Sequence, residues 1–192
     1  MSEYTYGEEV EYELKLLKDS DRCKLKKFNC GNTKLDRYIQ EEIIPSSGVN
    51  NEDGLIFKTE DKKNHNIIAI ISLAANGIVF KQTNYMKILP AIKIDVFAVD
   101  LKYQKMHFNE ESENDSNPEN HFYLSDSIMC EVINHCNVIS ENHALVNYIL
   151  LYADKKAYRF YERNKFLKFE KFMEKENNME INKNIPMYMK LC

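Results

Sequence analysis

The stretch ILLYADKKAYRFYERNKF, residues 149–166, decides the fold. Its first residues belong to the most apolar strand pattern in the chain, and that strand runs directly into a helix. Asp154 stands where it can cap a helix beginning at Lys155. Within the helix, Ala157, Phe160 and Tyr161 have the i, i+3, i+4 spacing that stacks side chains on one face, although the segment is basic at both ends. A phenol on the buried face of so charged a helix asks for a reason. Taken alone, such a helix carries an ordinary core tyrosine whose hydroxyl reaches the surface.

Upstream, PAIKIDVFAVD (90–100) alternates as a strand does, with Ile92, Ile94, Val96 and Ala98 on one side and Lys93, Asp95, Phe97 and Val99 on the other. GLIFKTED (54–61) and NIIAIISLAANGIVF (66–80), separated by the polar KKNH, read as an antiparallel hairpin. GEEVEYELKLLK (7–18) fits an edge strand that ends at Asp19-Ser20, where a helical element starts. In 26–44 the chain breaks at Cys30-Gly31-Asn32 and restarts as a helix with Thr33 as its N-cap. Downstream of 100, FYLSDSIMCEVINHCNVI (122–139) is a helix that Ser125 or Asp126 can cap, while KFEKFMEK and IPMYMKLC (168–175 and 185–192) are strands. PSSGVNNEDG (45–54), the acidic tract 109–121 and ENNMEINKN (176–184) are polar loops or inserts. If the acidic tract covers an acceptor groove, it favours a cationic amine. The order of elements is that of a mixed α/β (α+β) domain around one sheet, and residues 1–192 are expected to form a single domain.

Charge and cysteine usage narrow the function classes. Lys and Arg number 26 against 30 Asp and Glu, a formal net charge of -4, which does not favour a nucleic-acid partner but leaves room for a local basic patch. The first thirty residues lack the apolar run of a signal peptide or membrane helix, so a cytoplasmic protein with no membrane partner is expected. Five cysteines without a CxxC pair and five scattered histidines support neither a disulfide framework nor a metal site.

Three segments carry a resemblance. DVFAVDLKYQ (95–104) is similar to the fourth strand and the start of the cofactor loop of the GNAT superfamily of acetyl-CoA-dependent N-acetyltransferases. ILLYADKKAYRFYERNKF resembles that superfamily's fifth strand and its A-x-x-F-Y-x-x-x-G-F helix, and FNCGNTKLDRYI (28–39) resembles the F-x-x-G-x-x-x-L-D-x-Y/W-L entrance of members that include tRNA-acetylating toxins. Two departures stand out. Lys105-Met106-His107-Phe108 replaces the usual glycine-rich turn, and Lys165 replaces the glycine before the last Phe of the helix motif.

The resemblance implies a mostly antiparallel central sheet of about six to seven strands flanked by about four helices. It also implies acetyl-CoA as co-substrate, no metal, and transfer of an acetyl group to a primary amine on a small molecule or peptide. A homodimer is compatible with it. On the matched positions, the backbone of Phe97, Ala98 and Val99 would pair with the pantetheine arm. Gln104 and Lys105, with the amides near Ser125 and Asp126, would lie at the diphosphate, and Asp154 and Ala157 would line the cofactor. Tyr161 would protonate the leaving thiolate, as a phenol of ordinary pKa near 10 can do. Asp95 is the candidate general base, because Lys93 on the same face would have to lose its proton first. Three alternatives stay open. One is a toxin-type acetylase of aminoacyl-tRNA, another is a scaffold of this fold that has lost catalysis with its glycines, and the third is an acyltransferase using a longer acyl group.

Overall fold

The computed structural model describes residues 10–44, 54–82, 85–108, 114, 116–117, 121–142, 146–175 and 183–191. In chain order they form β1 (Tyr12–Leu16), a 3-10 turn (Asp19–Asp21), α1 (Arg22–Leu25), α2 (Thr33–Arg37) continued by a π turn (Tyr38–Glu42), β2 (Leu55–Asp61), β3 (Ile67–Gln82) and β4 (Tyr85–Val99). These are followed by α3 (Leu124–Asn142), β5 (Tyr148–Ala153), α4 (Tyr158–Arg163), β6 (Leu167–Lys168), β7 (Met173–Glu174) and β8 (Ile185–Lys190). The acidic tract lies largely outside the described residues, as do 45–53, most of the insert at 176–184, and Cys192.

The strands join in an eight-stranded sheet ordered β1-β2-β3-β4-β5-β8-β6, with β7 pairing to β3. β4 and β5 are parallel, whereas β1–β2, β3–β7, β5–β8 and β6–β8 are antiparallel. The class is therefore the expected mixed sheet with helices. The strand count exceeds six to seven because KFEKFMEK does not form one strand. Its start extends β6, which pairs with β8, and its end forms β7, which pairs with β3 across a turn at Lys171-Phe172.

The chain packs as two compact units, Met1–Ile71 with Phe97–Ile128 and Ser72–Val96 with Met129–Cys192. In the first unit Leu25, Phe28, Ile39, Ile68, Ile70, Leu124 and Ile128 are buried, each worth about 1.5–3 kcal/mol of apolar transfer. β2 departs from simple alternation, since Lys58, Thr59, Glu60 and Asp61 are all buried. Pairing makes this tolerable. Lys58 Nζ lies 2.7 Å from Asp21 Oδ1 and also bonds Glu60, which in turn accepts from Lys24 Nζ at 3.1 Å.

In the second unit Ile78, Ala91, Leu150 and Met173 form a core, against which Phe80, Tyr148, Tyr152, Phe169 and Tyr188 pack. Val132 and Cys136 of α3, four residues apart, are also buried.

Three local expectations are corrected. The N-cap of α2 is Asn32, whose side chain accepts from the Leu35 amide, because Cys30–Asn32 are already turned toward the helix by Gly31 at φ 82°. α4 starts at Tyr158 rather than Lys155, because Asp154 uses its side chain on the Lys156 amide at 2.8 Å and its carbonyl on the Ala157 amide at 2.9 Å, closing a turn first. β4 begins at Tyr85, so Tyr85, Met86 and Lys87 extend the strand through Pro90.

Candidate active site

The β4–β5 ladder runs from Ala91↔Tyr148 to Ile94↔Leu151. Beyond it the two strands continue, β4 to Val99 and β5 to Ala153, where β5 still pairs with β8 at Ala153↔Ile185. Lys93 and Asp95 share one face just at this end. Their Nζ and Oδ1 are 3.0 Å apart, and the ammonium also sits 5.5 Å from the ring centroid of Tyr152. Asp95 is thus an ion-paired strand carboxylate with a third of its side chain open to solvent.

Tyr161 lies in the same unit as Asp95. It is 8% exposed, and its ring stands edge-on to Phe160 at 5.1 Å and to Phe166 at 5.9 Å. Burial pushes the phenol well above its usual pKa, and the nearby Asp154 carboxylate pushes it further in the same direction. A group so shifted keeps its proton at neutral pH, and the same shift makes it a weaker acid than an ordinary phenol. Asp154 itself is exposed and occupied in capping the turn, and Ala157 is the N-cap of α4. Lys165 takes a positive φ of 69° directly after the helix, which explains why a glycine suits that position.

In the first unit, Gln104 reaches back onto the end of β4. Its Nε2 donates to the Val99 carbonyl at 2.8 Å and to the Cys30 carbonyl at 2.8 Å. Asp100 works beside it, accepting from the amides of Asn29 and Lys102, each at 3.0 Å. The entrance motif FNCGNTKLDRYI is accounted for by the same clamp. Asp36 accepts from the Cys30 amide at 2.7 Å, Gln40 donates to the Phe28 carbonyl at 2.7 Å, and a Cβ on Gly31 would meet Leu101 Cδ2 at 3.1 Å. Burial and Asp36 push the Cys30 thiol up to about 11, which removes it as a nucleophile.

The start of α3 differs from a diphosphate cradle. The Leu124 amide donates to the Met106 carbonyl and the Asp126 amide to the Tyr123 carbonyl, both at 2.9 Å. The buried Asp126 carboxylate accepts from the Tyr123 amide at 3.0 Å, so a negative charge already occupies this helix N-terminus. Ser125 is buried beside it, and Lys105 is exposed in the preceding turn. The residues present therefore suit the pantetheine end of a coenzyme A better than its diphosphate.

The structure brings Gln104 onto Val99 and places the Asp154 carboxylate near enough to Tyr161 to raise its pKa. Sequence reading missed the clamp by Asp36 and Asp100, because a carboxylate turned onto a local amide leaves no pattern of its own. It also missed a cleft in the first unit between Lys27 and Arg37, whose signal is a run of cations between 22 and 37 diluted by the net charge of the whole chain.

No family model and no curated protein matches the sequence. Among solved structures, the chain is similar to a bacterial toxin, with a TM-score of 0.68, 17% identity, and 95% of this chain and 92% of that chain covered. It is also similar to a tyrosine-to-phenylalanine mutant of the AtaT toxin bound to the C-terminus of the antitoxin AtaR and acetyl-CoA (TM-score 0.65, 13% identity, 93% and 92% covered). A third similar structure is AtaT complexed with acetyl-methionyl-tRNAfMet (TM-score 0.65, 13% identity, 94% and 95% covered). At these identities the likeness establishes the fold, and the chain shares the GNAT fold with these toxins.

Proposed function

We propose that the protein transfers the acetyl group of acetyl-CoA to a primary amine. The observation that carries this reading is the end of the β4–β5 ladder at Ile94↔Leu151, after which the two strands run on without pairing to each other. An extended pantetheine arm fits such a place as an added strand, held by the backbone of Phe97, Ala98 and Val99. The occurrence of acetyl-CoA in an AtaT structure of the same fold supports this.

In the reaction the amine nitrogen attacks the thioester carbonyl carbon, an N–C bond forms, and the C–S bond breaks. The departing thiolate takes the hydroxyl proton of Tyr161, which bulk water then replaces. The proton lost by the amine goes to Asp95 or directly to solvent. That solved structures of AtaT and KacT carry a tyrosine-to-phenylalanine change is consistent with a working phenol on this fold.

The test is a melting-temperature titration with acetyl-CoA and with coenzyme A, followed by thiol release on adding amines. A ligand that binds only the folded state raises the melting temperature with concentration, by RT ln(1 + [L]/Kd) in free energy. No rise up to roughly millimolar ligand would instead identify a scaffold that has lost the cofactor.

A second reading has its own support in the AtaT complex with acetyl-methionyl-tRNAfMet. The acceptor is then the amine of an aminoacyl-tRNA and the protein a toxin. Growth arrest on expression, relieved by Tyr161→Phe, would favour it over a small-molecule acceptor.

A further inference from the structure

Lys93 and Asp95 stand two residues apart on one face of β4, and Lys93 lies in register with Leu150 of β5. Two residues of strand span about 6.6 Å, so the bond to Asp95 draws the ammonium toward the end of the ladder at Ile94↔Leu151, beyond which β4 and β5 part. There Lys93 Nζ lies 3.0 Å from Asp95 Oδ1 and 5.5 Å from the ring centroid of Tyr152, the first residue of β5 past the ladder. The ammonium thus bridges the two strands at their parting. Lys81, also ion-paired in the second unit, differs: its bond to Glu174 is 3.0 Å long, but its side chain is 69% exposed. The Lys93 side chain is 12% exposed and that of Asp95 35%, so the amine is enclosed while the carboxylate beside it meets solvent. An enclosed amine with a carboxylate in hydrogen-bond reach is the arrangement of a nucleophile and its base.

We propose that Lys93 is itself an acetyl acceptor, so that the protein acetylates its own chain in the gap between β4 and β5. The inference rests on the acetyl-transfer reading above and deepens it, since Lys93 is an amine already standing at the parting where that reading seats the pantetheine arm. The ammonium first gives a proton to Asp95, which passes it to water. The neutral Nζ attacks the thioester carbonyl carbon, an N–C bond forms and the C–S bond breaks. The departing thiolate takes the hydroxyl proton of Tyr161. The second proton shed by the nitrogen goes to solvent, from which Tyr161 is reprotonated. The products are an acetamide on Lys93, coenzyme A and one proton. Acetylation removes both the charge paired with Asp95 and the cation over Tyr152. The Asp95 carboxylate is then left to serve the ammonium of an incoming acceptor.

The test uses the full chain incubated with acetyl-CoA, followed over time by intact mass and by mass-spectrometric mapping of each lysine. The expected result is one acetyl group per chain, on Lys93, gained at least about tenfold faster than at Lys81. That rate should level off with rising acetyl-CoA and be independent of protein concentration, as transfer within one bound complex requires. Lys93→Arg should keep its melting temperature and lose this acetyl group. Should that variant fail to fold, the map of the wild-type chain decides alone. An unmodified Lys93, or one acetylated no faster than Lys81, overturns the proposal. So does a rate at Lys93 that rises linearly with acetyl-CoA, which marks ordinary chemical acetylation, or in proportion to protein, which marks transfer between copies. Acetyl-CoA thermal shifts run in parallel separate the two levels. A shift with Lys93 unmodified removes only this inference, whereas the absence of both shift and modification removes the acetyl-transfer reading with it.

Discussion

Gln104 and Val99 are joined by a hydrogen bond of 2.8 Å from the side-chain amide to the strand's last carbonyl, and the same amide nitrogen holds Cys30. A residue matched to the start of a cofactor loop is therefore also a tie between the end of β4 and the loop before α2. Two neutral hydrogen bonds at about 1 kcal/mol each set the scale. Gln104→Ala should lower stability in urea by about 1–2 kcal/mol. An unchanged urea midpoint would mean that the tie contributes nothing and that Gln104 is free for a ligand.

Tyr161→Phe removes only the hydroxyl from a ring packed between Phe160 and Phe166. The fold and acetyl-CoA binding should persist while turnover falls more than about tenfold, at least about 1.4 kcal/mol on the barrier. Because burial and Asp154 raise the phenol's pKa, its donor form persists through neutral and mildly alkaline pH. A rate that declined there would report another group. Equal rates for mutant and wild type would return Tyr161 to an ordinary core role.

Lys165 holds a left-handed backbone at φ 69° that costs a side-chain-bearing residue about 1 kcal/mol or more. Lys165→Gly should raise stability by about 1 kcal/mol, readable as a higher melting temperature with unchanged cofactor response. A lower melting temperature would show that the lysine side chain offsets the strain.

The strand and helix at 149–166 were legible because their signals are local: an apolar run, then an aromatic pair at helical spacing. The entrance motif was legible as a shape but not as a mechanism, since Gly31 and Asn32 announce a turn while the Asp36 and Asp100 clamps form only after folding. β2 was hardest. KTED reads as a polar end of a strand, and only the meeting with Asp21 and Lys24 from elsewhere in the chain turns it into a buried charge cluster. Long-range pairing of this kind has no periodicity for a sequence reading to detect. The start of α3 failed for a related reason, because a helix N-terminus can serve an anion or its own Asp126, and the sequence does not say which.

Thr59, on the face of β2 opposite Lys58 and Glu60, is fully buried, and its hydroxyl has no hydrogen-bond partner among the described residues. An unsatisfied buried hydroxyl costs about 1–3 kcal/mol relative to an apolar group of the same shape. Thr59→Val should therefore be neutral or stabilising, by up to about 1 kcal/mol, in thermal or urea melts. A loss of stability would reveal a bonded water at this position.

Lys58 is the centre on which the cluster depends. Its ammonium bridges Asp21 and Glu60, and Lys58→Met would leave the buried Asp21 carboxylate without its cation and Glu60 with Lys24 alone, at a cost of about 3–5 kcal/mol. The pH dependence follows with a definite sign. Burial alone would raise the Glu60 pKa, but the bonds from Lys58 and Lys24 outweigh it and hold the carboxyl down to about 2 from an ordinary value of 4.5. A lowered folded-state pKa gives stability that is present above the unfolded value and is lost as pH falls toward the folded one. Wild-type protein should thus weaken as pH drops from about 4.5 to about 2. Lys58→Met should be weaker at neutral pH and show a flatter decline over that window, because only Lys24 then holds the Glu60 carboxyl below its ordinary value. Urea midpoints measured for both proteins across this range check the claim. A variant as stable as wild type, or a decline of the same steepness in both, would remove Lys58 from its role in keeping Glu60 charged.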